Sequence, residues 1–226
     1  MFQCNRVRDS SEREVCYMRH SLQGEGFGVR LRPVQEADAA FIVWLRNLDH
    51  AKGNIGDSAV DVTSQKAWLD AYFEREGDYY FIVETLAGTP VGTYGIYDIS
   101  GRTAESGRWV IRPGVPAASP SAIVGLDLVF DTLGIARLHG TTVASNRPVL
   151  SLNQKMGYKQ VRIERAARII GSQAVDMVHL ALSAADWREA RERLLPVARL
   201  AEAQIRDWER AHRQGAKPRD PWRTPN

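Results

Sequence analysis

Cysteine is nearly absent from this chain of 226 residues: Cys4 and Cys16 are the only two, both in its first segment. Neither a disulfide framework nor a CxxC zinc site is available from that spacing, and both read as inert thiols. Long apolar runs are missing too. The longest uncharged stretch, Pro113 to Leu126, is broken by three prolines and is too short to cross a bilayer as a helix. The N-terminus interleaves Arg6, Arg8, Asp9, Glu12, Arg13 and Glu14 and lacks the apolar core of a secretory signal, so a cytoplasmic protein without a membrane partner is expected. The histidines His20, His50, His139, His179 and His212 show no i, i+4 pairing and no clustering with acids, so no metal site is expected. GxSxG elbows and Walker loops are absent. Gly24, Gly26 and Gly28 precede a strand instead of joining a strand to a helix, which excludes a Rossmann phosphate turn and leaves a flexible joint.

What is there is globular. Hydrophobic residues make up 44% of the chain, charged residues 25%, and there are six Trp, a composition that rules out wholesale disorder and favours one core domain with appendages. From Asp186 onward ten Lys/Arg face seven acids, which accounts for the whole net charge of +3. Acids interleave with the arginines there, so that segment reads as a solvated helix face and no nucleic-acid partner is expected.

Periodicity sets the elements. Gly28 to Pro33 reads as a strand, and Gln35 to Leu48 as a helix with Ala39, Ile42, Val43 and Leu45 on one face. Thr63 is positioned to cap a second helix carrying Ala67, Leu69, Tyr72 and Phe73. The period then falls to two: Tyr79 to Leu86, Val91 to Ile99 and Glu105 to Arg112 read as three antiparallel strands. Ser119 as N-cap and Pro120 in the first turn open a third helix, Arg137 to Ala144 is a strand, and Asn146 opens a fourth helix that stops at Gly157. Lys159 to Ile170 and Val175 to Leu182 form a hairpin across Gly171-Ser172. Seven strands and four helices result. The expected division is a loosely ordered leader at 1–26, with a short helix around Glu12 to Arg19, a core at 27–183, a helical extension at 184–213 and a disordered tail at 214–226. In the extension Trp187, Ala190, Leu194, Val197, Ala201, Ile205 and Trp208 form one stripe, and Pro196 is expected to start a new helix or kink the first. Such a stripe packs on its own domain or on a second copy, which makes a homodimer through this helix one expectation.

The chemistry centres on RWVIRPGVPAASPSA and RLHGTTVASNRPVLSLNQKMGY. A helix starting after a compact loop exposes unpaired amides suited to a phosphate, although any strand-to-helix junction offers the same groups. RPG before the third helix, LGIARLHGTTVASN before the fourth and NQKMGY at its end, in this order of elements, resemble the GNAT acetyltransferase superfamily from about Gly28 to Leu182. Within it LRN, TSQKAWLDAYFERE, DYYFIVE and VGTYGIYDI resemble amino-sugar N-acetyltransferases of surface-polysaccharide pathways, and AESGRW resembles the RimJ/RimL-like protein acetyltransferases. The sugar branch is weighted higher.

The resemblance implies an α+β fold. Its mixed, mostly antiparallel seven-stranded sheet would splay between the fourth and fifth strands, flanked by four helices and followed by the C-terminal helical extension. Acetyl-CoA would lie in the split. The free edge of the fourth strand, Trp109, Val110, Ile111 and Arg112, would pair with pantetheine, and Ala117, Ala118, Ser119 and Ser121 would supply amides to the pyrophosphate. Asn146 and Asn153 would border the cofactor from the fourth helix. VPAASPS stands where the superfamily carries its glycine loop, and Asn153 where many members carry a tyrosine acid. An amide is no general acid, which leaves three possibilities: Asn153 hydrogen-bonds the sulfur, water supplies the proton, or turnover is weak. Asp98 and Glu105 are the candidate bases, with Glu105 favoured. Arg46, Asn47 and Tyr97 would line the acceptor side. The implied activity is acetyl transfer to a primary amine of a nucleotide-linked amino sugar. Acetylation of a protein or peptide amine, or acyl-CoA binding without turnover, are the alternatives.

Overall fold

Apolar residues at every position from Tyr79 to Val83 require a strand covered on both faces, and all seven residues of Tyr79–Thr85 are buried. The structure, a computed structural model, describes residues 2–8, 14–52, 54 and 61–214. In chain order it comprises β1 (Phe2–Arg8), β2 (Glu14–His20), β3 (Gly24–Gly26), β4 (Val29–Pro33), α1 (Ala39–Arg46), α2 (Asp49–Lys52) and α3 (Val62–Phe73). There follow β5 (Tyr79–Thr85), β6 (Pro90–Ser100), β7 (Thr103–Ile111), α4 (Ala118–Asp127), β8 (Arg137–Val143), α5 (Arg147–Lys155), β9 (Lys159–Ile170), β10 (Gln173–Ser183) and α6 (Ala184–Gln214).

The main sheet has eight strands in the order β3-β4-β5-β6-β7-β8-β10-β9. Every pair is antiparallel except β7 with β8, which is parallel. Two cores cover its faces. Phe81, Val83, Tyr94 and Ile96 pack against α4 and α6, while Tyr80, Ile82 and Val110 pack against Phe41 and Ile42 of α1 and Leu69 and Phe73 of α3.

Among the described residues the main sheet has eight strands where seven were expected, β1 and β2 form a separate two-stranded sheet, and α2 is a helix beyond the expected four and the extension α6. The eighth strand of the main sheet is β3, where a flexible joint was expected. Glu14–His20 is a strand paired along its whole length with Phe2–Arg8, not a short helix, because partnering across sequence overrides the helical propensity of Glu, Arg and Met. Asp61, not Thr63, caps α3 through a 2.7 Å bond from the Ser64 amide. Ala117 occupies the N-cap of α4, so Ser119 and Pro120 lie inside its first turn.

Pro196 neither starts a helix nor ends one. The extension is one helix of 31 residues, with Trp187, Ala190, Leu194, Ala198, Ala201 and Ile205 buried in cis. Trp187 Nε1 donates to Asp127 Oδ1 at 3.1 Å, and Arg191 bonds both oxygens of the same carboxylate. Burial of this stripe outweighs the one hydrogen bond that a proline removes. Apart from Gln214, the tail expected at 214–226 lies outside the described residues. Among the described residues no helix is long and apolar enough to cross a membrane.

Candidate active site

Two bulges shape the sheet where β7 meets its neighbours. The β6–β7 register shifts between Tyr97 and Ser100 and again between Thr93 and Gly95. Asp98 and Arg108 sit at these shifts with φ of 51° and 49°, the left-handed region that bulged residues adopt. Arg108 is held there: its Nη2 donates to Asp78 Oδ2 at 2.8 Å, and its guanidinium carbon lies 4.5 Å from the Tyr97 ring centroid.

Beyond the bulge the sheet opens. β7 and β8 pair from Thr103/Arg137 to Ser106/Gly140 and no further, although β7 runs on to Ile111 and β8 to Val143. The strands diverge around a cleft of about 310 Å³ walled by Trp109, Val110 and Ile111 on one side and Thr141 and Thr142 on the other. Ala118 and Ala122 of α4 close one end of it, and Asn146, Leu152, Asn153 and Met156 of α5 another. Asn146 caps α5, its Oδ1 accepting from the Val149 amide at 3.4 Å. His50 and Ala51 of α2 border the cleft as well, with His50 Nε2 3.1 Å from the Ile111 carbonyl.

Several expected residues are placed elsewhere. Arg112 does not line the cleft; its guanidinium carbon lies 5.4 Å from the Trp44 ring and 5.1 Å from that of Trp208. Ser121 is fully buried and turned inward, its Oγ accepting from Trp109 Nε1 at 3.2 Å, which fixes the indole that forms the cleft wall. Ala117 is also buried, and its amide donates to the Val115 carbonyl while that of Ser121 donates to Ala117. Pro120 has no N–H, so the start of α4 offers an anion the amides of Ala118 and Ser119 alone. Asn47 folds its amide back onto Val43 of its own helix at 2.9 Å. Arg46 is half-buried at the end of α1, close enough for its charge to act on the Tyr80 hydroxyl.

The two faces of the fork carry different groups. On the face away from α4, Glu105 is half-buried between Tyr97 and His139, its cross-strand partners. Burial, reinforced by the charge of Asp98, raises its carboxyl above the ordinary value, against the opposing pull of His139, His179 and Arg168. Asp98 itself is exposed. Burial and Glu105 push the Tyr97 phenol up to about 12. Its hydroxyl lies so close over Gly107 that a Cβ there would come within 2.2 Å of it. On the opposite face, at the point where strand pairing ends, Tyr158 Oη lies 3.0 Å from Ser106 Oγ, and Tyr94 reaches the same serine.

Sequence reasoning missed Ser106, Tyr94, Tyr158 and His50. The available signal is Tyr158: a tyrosine directly after a helix-ending glycine reads as core, yet a buried phenol needs a hydrogen-bond partner.

The comparisons agree with this architecture. A model of the acetyltransferase (GNAT) domain matches residues 29–159. No curated protein sequence matches the chain. Among solved structures, apo FdhC, described as a nucleotide-linked sugar GNAT, is 27% identical, with a TM-score of 0.65 over 80% of this chain and 98% of FdhC. RimJ of Mycobacterium smegmatis in complex with CoA-disulfide is 24% identical, with a TM-score of 0.68 over 79% of this chain and 96% of that one. A spermidine N-acetyltransferase SpeG chimera of Vibrio cholerae and hSSAT is 17% identical, with a TM-score of 0.63 over 72% and 99%. The parallel fork, the matched domain and these neighbours together place the chain in the GNAT family of acetyl-CoA-dependent N-acetyltransferases.

Proposed function

We propose that this enzyme acetylates the primary amine of a nucleotide-linked amino sugar. The observation that carries the reading is the fork: one unpaired edge, β7 beyond Ser106, reachable from both faces of the sheet. Acetyl-CoA supplies an activated acyl group as a thioester, and the residues present fit it. The free edge of β7 at Trp109 to Ile111 offers backbone groups to pantetheine amides, and Ala118 and Ser119 offer amides to the pyrophosphate. Asn146 and Asn153 border the same space from α5.

On the acceptor face Glu105 is the base. An alkylammonium does not attack a carbonyl, so a proton must leave first, and a carboxyl raised toward neutrality by burial suits that transfer better than an ordinary one. Tyr97 and Asp98 border Glu105, while Arg46 stands on the α1 side.

The choice of acceptor rests on the 27% identity to FdhC across nearly all of that protein and on charge. His139, His179 and Arg168 act on Glu105 from β8, β10 and β9, and although Asp98 opposes them and Glu164 pairs with His179, the three bases favour an acceptor carrying phosphate over a polyamine. The test is thiol release from acetyl-CoA with three acceptors: a nucleoside-diphosphate-linked amino sugar, a peptide with a free N-terminus, and spermidine. Turnover with the sugar at least a hundredfold above the others is expected. Preference for the peptide or for spermidine overturns the acceptor assignment, and binding without turnover on any amine favours a non-catalytic acyl-CoA protein.

A further inference from the structure

Acetyl transfer needs something to receive the negative charge on sulfur as the C–S bond breaks. Asn153, which lines the cleft from α5, is a carboxamide and has no acidic proton to give. The fork itself holds another group. Ser106 is the last β7 residue paired to β8, and Gly140 opposite it is the last on that side. Without a side chain Gly140 leaves the apex open, and the nearest atom to a Cβ placed there would be Tyr158 Cε1 at 3.7 Å. The Tyr158 hydroxyl fills that apex, 3.0 Å from Ser106 Oγ, and Ser106, Gly140, Tyr158 and Tyr94 all line the cleft.

We propose that Tyr158, oriented by Ser106, donates the hydrogen bond that stabilises the departing thiolate of coenzyme A. This rests on the reading that the acetyl thioester is held at the fork. In the proposed arrangement Ser106 Oγ–H, which also lies 3.5 Å from the His139 carbonyl, donates to the nearer Tyr158 oxygen at 3.0 Å and leaves the phenolic O–H for the cleft. The amine nitrogen forms its bond to the acyl carbon, the C–S bond breaks, and its electron pair goes to sulfur. The proton lost by the nitrogen passes through Glu105 to solvent, and sulfur leaves as thiolate.

Tyr158 keeps its own proton throughout. A thiol titrates at about 8.5 and a phenol at about 10, so full transfer from tyrosine to thiolate is uphill even for an unperturbed pair. Burial raises Tyr158 further, as it does Tyr94 beside it. A phenol of this kind is a hydrogen-bond donor to an anion, not an acid toward it, and coenzyme A takes its proton from water after release.

The readout is the thiol of bound coenzyme A, titrated by its thiolate absorbance in the ultraviolet, with affinity measured by calorimetry at pH 6. Tyr158→Phe keeps the ring and removes the hydroxyl; Ser106→Ala removes its orienting partner. Both variants are expected to bind coenzyme A within twofold of wild type at pH 6. The bound thiol pKa should rise by about one unit in Tyr158→Phe, a tenfold loss of thiolate stabilisation, and by less in Ser106→Ala, with kcat falling in the same order. An unchanged thiol pKa in both variants overturns the proposal, as does a rise seen only in Asn153→Ala. If wild type fails to bind coenzyme A, the placement of the thioester at the fork falls instead, and the proposal falls with it. Should Tyr158→Phe not fold, an unchanged thiol pKa in Ser106→Ala alone is sufficient to reject it.

Discussion

Arg108 reaches from the bulge of β7 back to Asp78, the residue that precedes β5, with Nη2 2.8 Å from Oδ2. Both side chains are largely buried, at 18% and 9% exposure, so each depends on the other. Asp78→Ala leaves a cation under Trp68, Tyr80 and Tyr97 without its carboxylate. A loss of about 3 kcal/mol in a urea melt is expected, near the low end for breaking a buried pair because some solvent remains in reach. The same substitution frees the bulge, so acetyl transfer should fall more than the melt alone explains.

Glu105 separates function from stability. Its folded pKa is raised, so the native state holds the proton more tightly than the unfolded chain does. Its contribution to stability is fully present below the ordinary value of 4.5 and is lost as pH rises through the folded value. Glu105→Gln is therefore expected to stabilise the protein at neutral pH and to lower kcat by roughly 100- to 10,000-fold, with partial rescue at high pH. Melts and pH–rate profiles of the two proteins check both signs. Normal turnover in Glu105→Gln alongside a dead Asp98→Asn transfers the role to Asp98.

A methyl group at Gly107 would meet the Tyr97 hydroxyl at 2.2 Å but the ring carbon behind it at 3.2 Å. Gly107→Ala alone should cut kcat at least tenfold by displacing Tyr97. Adding Tyr97→Phe should restore part of the loss, since only the oxygen clashes severely. Failure of the double variant to exceed the single one in kcat locates the damage elsewhere.

The start of α4 supplies two amides, and proline decides the number. Ser119→Pro removes one and should weaken acetyl-CoA binding by about fivefold to a hundredfold, as expected for one hydrogen bond to a charged group. Pro120→Ala adds an N–H to the same turn and should tighten binding. Calorimetry on the two variants tests the opposite signs together.

His20 makes the fold sensitive to acid. Burial lowers its pKa below 6.5, and its Nε2 lies 3.2 Å from the Tyr80 carbonyl, between the rings of Tyr79 and Phe81. The unfolded chain takes the proton more readily, so stability falls as pH drops from 6.5 toward the lowered folded value. Melting temperature should decline over that window in wild type and less steeply in His20→Phe.

The fold was legible wherever the pattern was local. The apolar run of β5, the alternation in β6 and the stripe of α6 each state their own structure. Three features did not follow from the periodicity of their own segment. Glu14–His20 is a strand because Phe2–Arg8 lies beside it. Pro196 sits inside a helix because that helix has a core to cover. The cap of α4 lies at Ala117, two residues before the serine whose side chain best suits a cap. At the site, the fork followed from family resemblance, while Glu105 was one of two candidate bases, with Asp98, named from the chemistry and from its place on the strand beside the fork. The Ser106–Tyr158 contact joins residues 52 apart in sequence, and no one-dimensional pattern brings them together.

The last helix behaves as a strut of fixed length. It leaves the β8–β10 half of the sheet at Ala184, whose amide bonds the Ala136 carbonyl. It ends over the other half, where Glu209 accepts from Thr85 and Thr89 and Trp208 covers Arg112. Between these anchors Trp187 and Arg191 grip Asp127 of α4. The two half-sheets that part at Ser106 and Gly140 are thus tied across the opening by a rod whose span is counted in helical residues. Deleting one residue from its middle would move the far anchors by about 1.5 Å and turn them by about 100°. The gap in the sheet is therefore gauged by a segment that does not line it, and changes in α6 should alter how wide a ligand the enzyme admits before they touch its chemistry.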